Sequence, residues 1–268
     1  MVGLASVSVT SNAIAEQTEL KKTEYNRIVA MSPDVADIIV ALGGADKVVG
    51  KNAVNRNPAL KHAKAVGRHR NLTAEAVIQL KPDLALGSYM VQPQSVYQRL
   101  NSLGVKAVNV APKEDVSSYA SSIVKIGEYI GKEKLARKTA RKWLSGMSRK
   151  PKTGTRYLLS YDGRYVAGRG TVGDVLIKRA GGINAASSVS GLKPMSREGW
   201  LEAKPDVIII AEHNIPVIGS KERFVRRPEV AVSPAGKNQN VLFWSANDYL
   251  RYGLNTPEVV DRLHKLSK

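Results

Sequence analysis

A histidine between two arginines is the first feature of this sequence that could do chemistry. His69 follows Arg68 and precedes Arg70, in a polar stretch that leads into a predicted helix. A neutral imidazole can donate a lone pair to iron, as a phenolate oxygen also can. Guanidinium groups pair with carboxylates in a fork geometry. The triplet suits an anionic ligand that carries a metal, although a lone histidine in a loop is more often simply solvated.

A second set of candidate donors follows the predicted strands in the later half of the chain. Tyr161 and Arg164 come directly after the apolar stretch 157–160. Side chains at the carboxyl ends of parallel strands meet in one crevice. We therefore expect Tyr161 and Arg164 to face the same cleft as His69, although Tyr161 could also simply close a strand end.

Two further positions are candidates for the same pocket. His213 follows the apolar stretch 208–210 and is a reserve metal ligand. Tyr249 and Arg251 combine an aromatic ring with a cation and could line the pocket, although core packing explains Tyr249 equally well.

The residue patterns that carry catalysis are missing from the sequence. Cysteine is absent, which excludes thiol nucleophiles, thiolate metal sites and disulfides. We find no nucleophile elbow, no Walker loop and no spaced His/Glu metal motif. Gly168, Gly170 and Gly173 resemble a phosphate loop, but their spacing is wrong. We expect a binding protein rather than an enzyme.

The chain is strongly basic, with 41 Lys and Arg against 23 Asp and Glu in 268 residues and a formal charge of +18. Such a charge is typical of phosphate binding. The basic residues are spread along the whole chain, however, and no nucleic-acid-binding motif occurs. The densest run, 132–150, alternates with apolar positions and is better interpreted as a solvated face. We therefore expect no nucleic-acid partner.

The elements that must position these residues alternate between strand and helix from Arg27 onward, which predicts βαβ units and a mostly parallel sheet. Residues 115–147 hold almost no helix breaker and predict one long helix, or two nearly continuous ones. The expected fold class is α/β, with two Rossmann-like lobes joined by a long interlobe helix and a ligand cleft between them. The predicted bounds are 27–125 for the N-terminal lobe, 126–150 for the interlobe helix and 151–268 for the C-terminal lobe.

An internal repeat supports two equivalent lobes. Both copies run from a hydroxyl cap through a helix into an apolar strand, and their matching positions are all displaced by 123 residues. The first copy consists of Thr73, Glu75, Lys81, Pro82 and Asp83, and the second of Ser196, Glu198, Lys204, Pro205 and Asp206. A cleft between two such lobes is a common place for a ligand.

The first 26 residues predict the remnant of a signal peptide and a disordered leader. Residues 2–11 are small or apolar and uncharged, and Ala13 and Ala15 form a small-x-small cleavage pattern. We expect export and cleavage after Ala15; a disordered cytoplasmic leader is the alternative. No stretch of 18 apolar residues occurs, and no cysteine could carry a lipid anchor. These features predict a soluble protein of a Gram-negative periplasm.

From about Arg27 to the C-terminus, the chain resembles the periplasmic binding subunits of ABC importers that have a rigid interlobe helix and serve iron carriers, cobalamin and haem. The Pro-Asp strand motifs at 82–83 and 205–206 are general to this class. The stretch Ala-Gly-Arg-Gly-Thr at 167–171, with further matches at 228–236 and 249–257, is most similar to haemin-binding subunits. The resemblance implies haemin, ferric protoporphyrin, as a transported ligand, and no catalytic cofactor.

Two departures from this family affect the expected ligands. Members usually carry an iron-ligating tyrosine after the Val-Gly that here is followed by Arg68 and His69. Many relatives place a histidine where Tyr161 follows Leu-Leu-Ser. The resemblance therefore implies His69 and Tyr161 as axial ligands of the haem iron, with the residue types exchanged. Arg68, Arg70, Arg164, Tyr249 and Arg251 would complete the ligand-binding set.

The resemblance also implies partners. One exposed acid per lobe engages arginines of the permease in this class, and Glu75 and Glu198 are at matching positions of the repeat. Both acids also suit the first turn of a helix electrostatically. The expected partners are haemin, the permease and ATPase complex and an outer-membrane haem receptor system, with the protein itself a monomer. A ferric siderophore or cobalamin is the alternative ligand.

Overall fold

A computed structural model describes residues 24–267, and within them the earlier half of the chain forms a parallel sheet. The predicted cleavage site after Ala15 and most of the predicted leader lie outside the described residues. The strands of this first sheet are β1 (Ile28–Ala30), β2 (Val48–Lys51), β3 (Lys64–Ala65), β4 (Leu84–Ser88) and β5 (Lys106–Ala111). Their order is β3-β2-β1-β4-β5, and every pair is parallel.

The later half of the described chain forms a second, mixed sheet. Its strands are β6 (Arg156–Ser160), β7 (Tyr165–Ala167), β8 (Ile183–Asn184), β9 (Leu192–Pro194), β10 (Val207–Ala211) and β11 (Val241–Trp244). The main order is β11-β10-β6-β7-β9, with β8 paired to β6. Strands β6, β8, β10 and β11 pair in parallel, whereas β7 is antiparallel to both of its neighbours. The predicted α/β class with two lobes is confirmed.

Helices connect the strands, and several begin at a capping side chain. In chain order the described α-helices are α1 (Pro33–Ala41), α2 (Ala74–Ile78), α3 (Ser95–Ser102), α4 (Val116–Ile130), α5 (Glu133–Gly146), α6 (Val172–Arg179), α7 (Arg197–Ala203), α8 (Ile215–Ile218), α9 (Lys221–Val225), α10 (Pro228–Ala231), α11 (Pro234–Lys237), α12 (Ala246–Tyr249) and α13 (Thr256–Lys265). Thr171 caps α6 by accepting a hydrogen bond from the Asp174 amide, which is typical of a threonine N-cap.

The helical stretch predicted over 115–147 is divided into two helices, α4 and α5, and α5 lies within the predicted interlobe bounds of 126–150. α4 ends at Gly131, whose φ of 74° is a left-handed conformation that favours glycine, and α5 then runs back along α4. Gly127 allows the close crossing, because a β-carbon there would lie 2.1 Å from the β-carbon of Ala136. The connection between the two sheets is therefore a helical hairpin, and α5 leads into β6.

The hairpin shares its core with both sheets. One buried apolar cluster includes Ile28 and Leu84 of the first sheet as well as Tyr157 and Leu159 of the second. At its centre is an aromatic joint, which we define as Tyr119 of α4, Trp143 of α5 and Tyr252. Its ring centroids are 4.9 to 6.1 Å apart. Because the core is continuous, the lobe bounds of 27–125 and 151–268 stay a prediction.

The repeat predicted from the sequence has the same local geometry in both copies. Thr73 and Ser196 each accept a hydrogen bond from the amide three residues ahead. Lys81 and Lys204 each have a positive φ, of 47° and 41°. Asp83 accepts a hydrogen bond from the amide of Arg27, which precedes β1, and Asp206 accepts one from the amide of Arg156, which begins β6.

Candidate functional site

A cleft of about 700 Å³ lies between the two sheets. One wall comes from α1 and from the loops after β2, β3 and β4, and the other from the loops after β6, β10 and β11 together with residues of α12. All of these loops follow the carboxyl ends of strands, where α/β folds usually bind ligands. The volume falls within the range of small-molecule pockets.

His69 lines the first wall in a short 3-10 turn, His69–Asn71, that follows β3. The Gln92 amide donates a hydrogen bond to the His69 carbonyl oxygen at 2.6 Å. The Leu72 amide in turn donates to the Gln92 carbonyl oxygen at 3.0 Å. These bonds tie the turn to the loop after β4 and so define the position of the histidine.

The imidazole of His69 is half-buried, and its Nδ1 atom has no hydrogen-bond partner among the described residues. Burial lowers the pKa of His69 below 6.5, and the positive charge of Arg70 lowers it further, whereas the Asp34 carboxylate opposes this shift. The ring is therefore predominantly neutral at pH 7. A neutral imidazole is the form that can ligate a metal.

Tyr161 and His213 lie together on the second wall. The Tyr161 hydroxyl is 3.3 Å from Nε2 of His213, and the two ring centroids are 5.3 Å apart. The Asn214 side-chain amide donates to the Tyr161 carbonyl oxygen at 2.7 Å and so connects the loops after β6 and β10. Sequence reasoning predicted each residue at a strand end, and the structure brings them into contact.

The turn after Tyr161 directs Arg164 away from the cleft. Asp162 accepts hydrogen bonds from the amides of Arg164 and Tyr165, at 2.9 and 2.8 Å, and the chain reverses there into β7. The Arg164 guanidinium lies 5.9 Å from the Tyr165 ring centroid and does not line the cleft. The prediction that Arg164 faces the cleft is therefore wrong.

Three arginines supply positive charge to the first wall. Arg68 and Arg70 flank His69 as the sequence predicted, and both side chains are exposed in the cleft. Arg56, in the loop after β2, joins them and was not predicted as a site residue. The signal that could have identified it is the same as for His69, a polar loop at the carboxyl end of a parallel strand.

Arg251 reaches across the cleft and forms an ion pair with the first wall. Its Nη2 atom is 3.1 Å from Oδ2 of Asp37 in α1. The other carboxylate oxygen of Asp37 accepts a hydrogen bond from Asn55 at 3.0 Å. The prediction that Arg251 lines the pocket agrees with its position, but its charge is already paired with a residue that sequence reasoning missed.

Tyr249 belongs to the core and not to the cleft. Its side chain is completely buried, and its hydroxyl donates to the Ser160 carbonyl oxygen at 2.7 Å. Burial raises the pKa of Tyr249, so that its phenol stays protonated. The structure therefore favours core packing, the other explanation of this residue, because α12 turns the Tyr249 side chain inward against β6 and away from the cleft lining.

Comparison with known protein families decides the class of the chain. Residues 28–247 match the model of a periplasmic binding protein family. The chain belongs to this family. Its relatives include an uncharacterized ABC transporter substrate-binding lipoprotein, YvrC of Bacillus subtilis, which is 30% identical over 223 residues, or 76% of this chain and 69% of the relative. A vitamin B12-binding protein of Vibrio vulnificus is 24% identical, over 90% of this chain and 88% of its own.

Solved structures of periplasmic heme-binding proteins share the fold of this binding protein. RhuT from Roseiflexus sp. RS-1 is 25% identical, with a TM-score of 0.79 over 91% of this chain and 99% of its own. The binding protein is thus a substrate-binding protein of the ABC importer type. A permease and an ATPase are the partners that this family implies.

Glu75 and Glu198 of the binding protein are both exposed, in the first turns of α2 and α7. The pKa of Glu198 is lowered, first by a hydrogen bond from its own backbone amide and then by the Ser196 hydroxyl. Neither acid lines the cleft. Both glutamate side chains are therefore accessible to a partner on the surface outside the cleft.

Two features are missing from residues 24–267 of the binding protein. No helix there has the length and apolar character that crossing a membrane requires. The same residues contain no group of three or more His, Cys, Asp or Glu side chains that could hold a metal ion.

Proposed function

We propose that this binding protein captures haemin in the cleft and delivers it to the permease of an ABC importer in the inner membrane. The observation that carries the proposal is the placement of His69 on one wall and of Tyr161 with His213 on the other wall of one cleft. A flat iron chelate placed between the walls would have a donor available on each face.

Each side chain would then have a distinct role. Neutral His69 would give its lone pair to the iron, and Tyr161 would ligate from the opposite face as a phenolate. His213, 3.3 Å from the phenol oxygen, is placed to accept the proton that Tyr161 loses. Arg56, Arg68 and Arg70 would pair with the two propionates, whereas Arg251 is already paired with Asp37.

The comparisons support haemin without deciding it. RhuT, which has the same fold, is a heme-binding protein, and this favours haemin. The Vibrio vulnificus relative binds vitamin B12, which favours cobalamin as the second candidate. A cobalamin or a ferric siderophore would use the arginines and need no iron ligand from His69 or Tyr161.

We also propose that the protein works in a Gram-negative periplasm as a monomer and receives haemin from an outer-membrane haem receptor system. Glu75 and Glu198 would dock on arginines of the permease, one from each copy of the repeat. Their exposure and their separation from the cleft support this assignment.

The test is a titration of the purified protein with haemin and, in parallel, with cyanocobalamin. We expect a saturable shift of the haemin Soret band, and we expect His69→Ala to weaken haemin binding. His62→Ala is the matched control, because His62 lies outside the cleft, with Nε2 3.1 Å from the Val48 carbonyl oxygen. If cyanocobalamin binds saturably and haemin gives no Soret shift, the ligand is cobalamin and not haemin.

A further inference from the structure

The solvent side of α5 is a continuous cationic surface. At 100° per residue, Lys134, Arg137, Lys138, Arg141 and Lys142 fall within about 140° of the helix circumference, and we call these five residues the α5 basic face. All five are exposed. Glu133, the one acidic residue of this helix, lies outside that sector at its first position.

The buried side of α5 accounts for the packing of this helix but not for the positive charge on its exposed side. Ala136, Ala140 and Trp143 are buried against the rest of the core, and they are sufficient to anchor the helix. Among the described residues that line the cleft, none comes from α5. Neither packing nor ligand binding therefore requires the α5 basic face.

The α5 basic face also weakens its own helix. Lys134 and Lys138, Arg137 and Arg141, and Lys138 and Lys142 are like-charged pairs at i, i+4, which destabilise a helix. Arg137 is compensated by Glu128 of α4, whose Oε1 atom lies 3.1 Å away. A surface that opposes folding and is not used in the cleft calls for a partner that carries negative charge.

We propose that the α5 basic face adsorbs the protein to a membrane surface rich in anionic phospholipid. A protein partner is less suited, because protein interfaces have apolar or aromatic centres and are depleted in lysine. The centre of this sector is instead made of Lys134, Lys138, Arg141 and Ser145, and the exposed side chains of Leu135 and Leu144 lie outside it. Clustered basic residues on a helix are the usual means of binding anionic headgroups.

A groove just beyond the end of α5 in the sequence carries further basic residues. Arg149 and Lys152 line it together with Lys178 and Ile183, and its volume is about 510 Å³. The side chain of Ile183 is 45% exposed there. Lys178 is paired with Asp174 there, so Arg149 and Lys152 are the cations that this groove could offer to an anionic headgroup.

The experiment measures binding of the full chain to phosphatidylcholine vesicles with and without phosphatidylglycerol. The test variant is Lys134→Gln, Lys138→Gln, Arg141→Gln, Lys142→Gln. It should bind phosphatidylglycerol vesicles more than about 100-fold more weakly than wild type, because each basic residue near an anionic surface contributes about fivefold. Pure phosphatidylcholine vesicles should bind neither protein.

A matched control separates this surface from the general charge of the molecule. Lys61→Gln, Lys106→Gln, Lys193→Gln, Lys237→Gln removes four exposed lysines elsewhere and changes the net charge equally. Its binding should fall less than about fivefold, the share of one residue at the surface. Equal losses in the two variants, or no binding of wild type at low salt, would overturn the proposal.

The thermal stability and the haemin affinity of the test variant show whether its fold and its cleft are intact. The test variant should unfold at the same temperature as wild type or higher, because like-charge pairs have been removed. Its haemin titration should match wild type, so that a failure of the membrane proposal is distinguishable from a failure of the proposed function. A loss of thermal stability would instead mean that the four replaced cations support the fold, and this would contradict the inference.

Discussion

The two walls of the cleft rest on copies of one local scaffold but carry different chemistry. In each copy a capped helix, a lysine of positive φ and a strand-anchoring aspartate recur, as at Thr73 and Ser196. The first wall then presents a half-buried imidazole whose Nδ1 atom has no hydrogen-bond partner among the described residues. The second presents an exposed phenol that already contacts His213.

This difference separates the backbone features that the two halves share from the side chains that distinguish them. The hydrogen bonds of the repeat lie within each half and stabilise the backbone whatever the ligand is. The side chains at the strand ends do not contribute to these bonds. The walls can therefore hold unlike donors for the two faces of one ligand on the same framework.

The largest effect should come from the acids that the repeat places on both halves. Reversal of both charges, Glu75→Lys with Glu198→Lys, should abolish haemin-dependent growth of cells that carry the importer. Haemin affinity of the purified variant should be unchanged, since neither acid lines the cleft. The two measurements together test docking apart from binding.

The control for this reversal is Asp46→Lys with Glu202→Lys, which changes two other exposed acids, one in each half of the chain. Glu202 lies in α7, the same helix as Glu198. Normal growth of the control is expected. A loss of haemin affinity in the Glu75/Glu198 variant would contradict the docking assignment.

The next effect distinguishes the two donors. His69→Ala should weaken haemin binding by at least about tenfold, which is the lower end of what loss of an outer-shell partner costs a metal site. Tyr161→Phe should cost less, because ligation by Tyr161 first requires transfer of its phenol proton to His213, whereas the lowered pKa of His69 leaves its imidazole neutral. Soret titrations measure both, and Tyr165→Phe, outside the cleft, is the control for the phenol. A larger loss of haemin affinity in Tyr161→Phe than in His69→Ala would show that Tyr161 is the stronger donor.

The same donors predict a pH dependence. The pKa of His69 is lowered from 6.5, chiefly by burial, so the imidazole stays mostly neutral at pH 6.5. Ligation by His69 should persist there and should fall only as the pH drops through the lowered pKa, where the protonated ring loses its lone pair. The Soret band recorded as a function of pH checks this. An unchanged pH profile in His69→Ala would be evidence against ligation by this residue.

A smaller effect, on the free energy of unfolding, is expected at the ion pair between Asp37 and Arg251, which joins the two walls. Asp37→Ala removes the partner of Arg251 and the acceptor of Asn55, both of them largely buried. Loss of these bonds should lower the free energy of unfolding by about 1–3 kcal/mol. Urea unfolding of Asp37→Ala, Arg251→Ala and the double variant measures the coupling between them, and additive effects would show that the pair does not connect the walls.

The smallest effect should come from the shared scaffold. Asp206→Ala removes the acceptor of the Arg156 amide, and Asp83→Ala removes the acceptor of the Arg27 and Asn26 amides, each carboxylate lying at the start of a strand. Each should cost about 0.5–1.5 kcal/mol. The Asp206 variant should lose more, because its bond is partly buried whereas those of Asp83 are exposed to water. Urea denaturation of the two variants compares the copies directly.

Local rules were sufficient for much of the fold and for part of the site. Hydroxyl caps, apolar runs and the repeat predicted α2 and α7, and the strand-end rule placed His69 and Tyr161 in the cleft. These features depend on neighbours close in the sequence. The same holds for the predicted two-lobe α/β class, which follows from the alternation of strands and helices.

What the sequence could not provide depends on residues far apart in the chain. The reversal at Gly131 is set by packing of α4 on α5, whereas helical periodicity alone continues through it. The ion pair of Arg251 with Asp37 joins residues from opposite halves. Burial of Tyr249 follows from its bond to Ser160, which no spacing rule indicates.

The aromatic joint has a consequence for how cargo leaves. Tyr119, Trp143 and Tyr252 connect the two halves through one unbroken interior. Separation of the two halves would expose this aromatic surface to water, which costs a free energy of about 25 cal/mol for every Å² of apolar surface. We therefore expect the cleft to keep nearly the same width with and without a ligand, so that release of the ligand would depend on the permease rather than on spontaneous opening of the cleft.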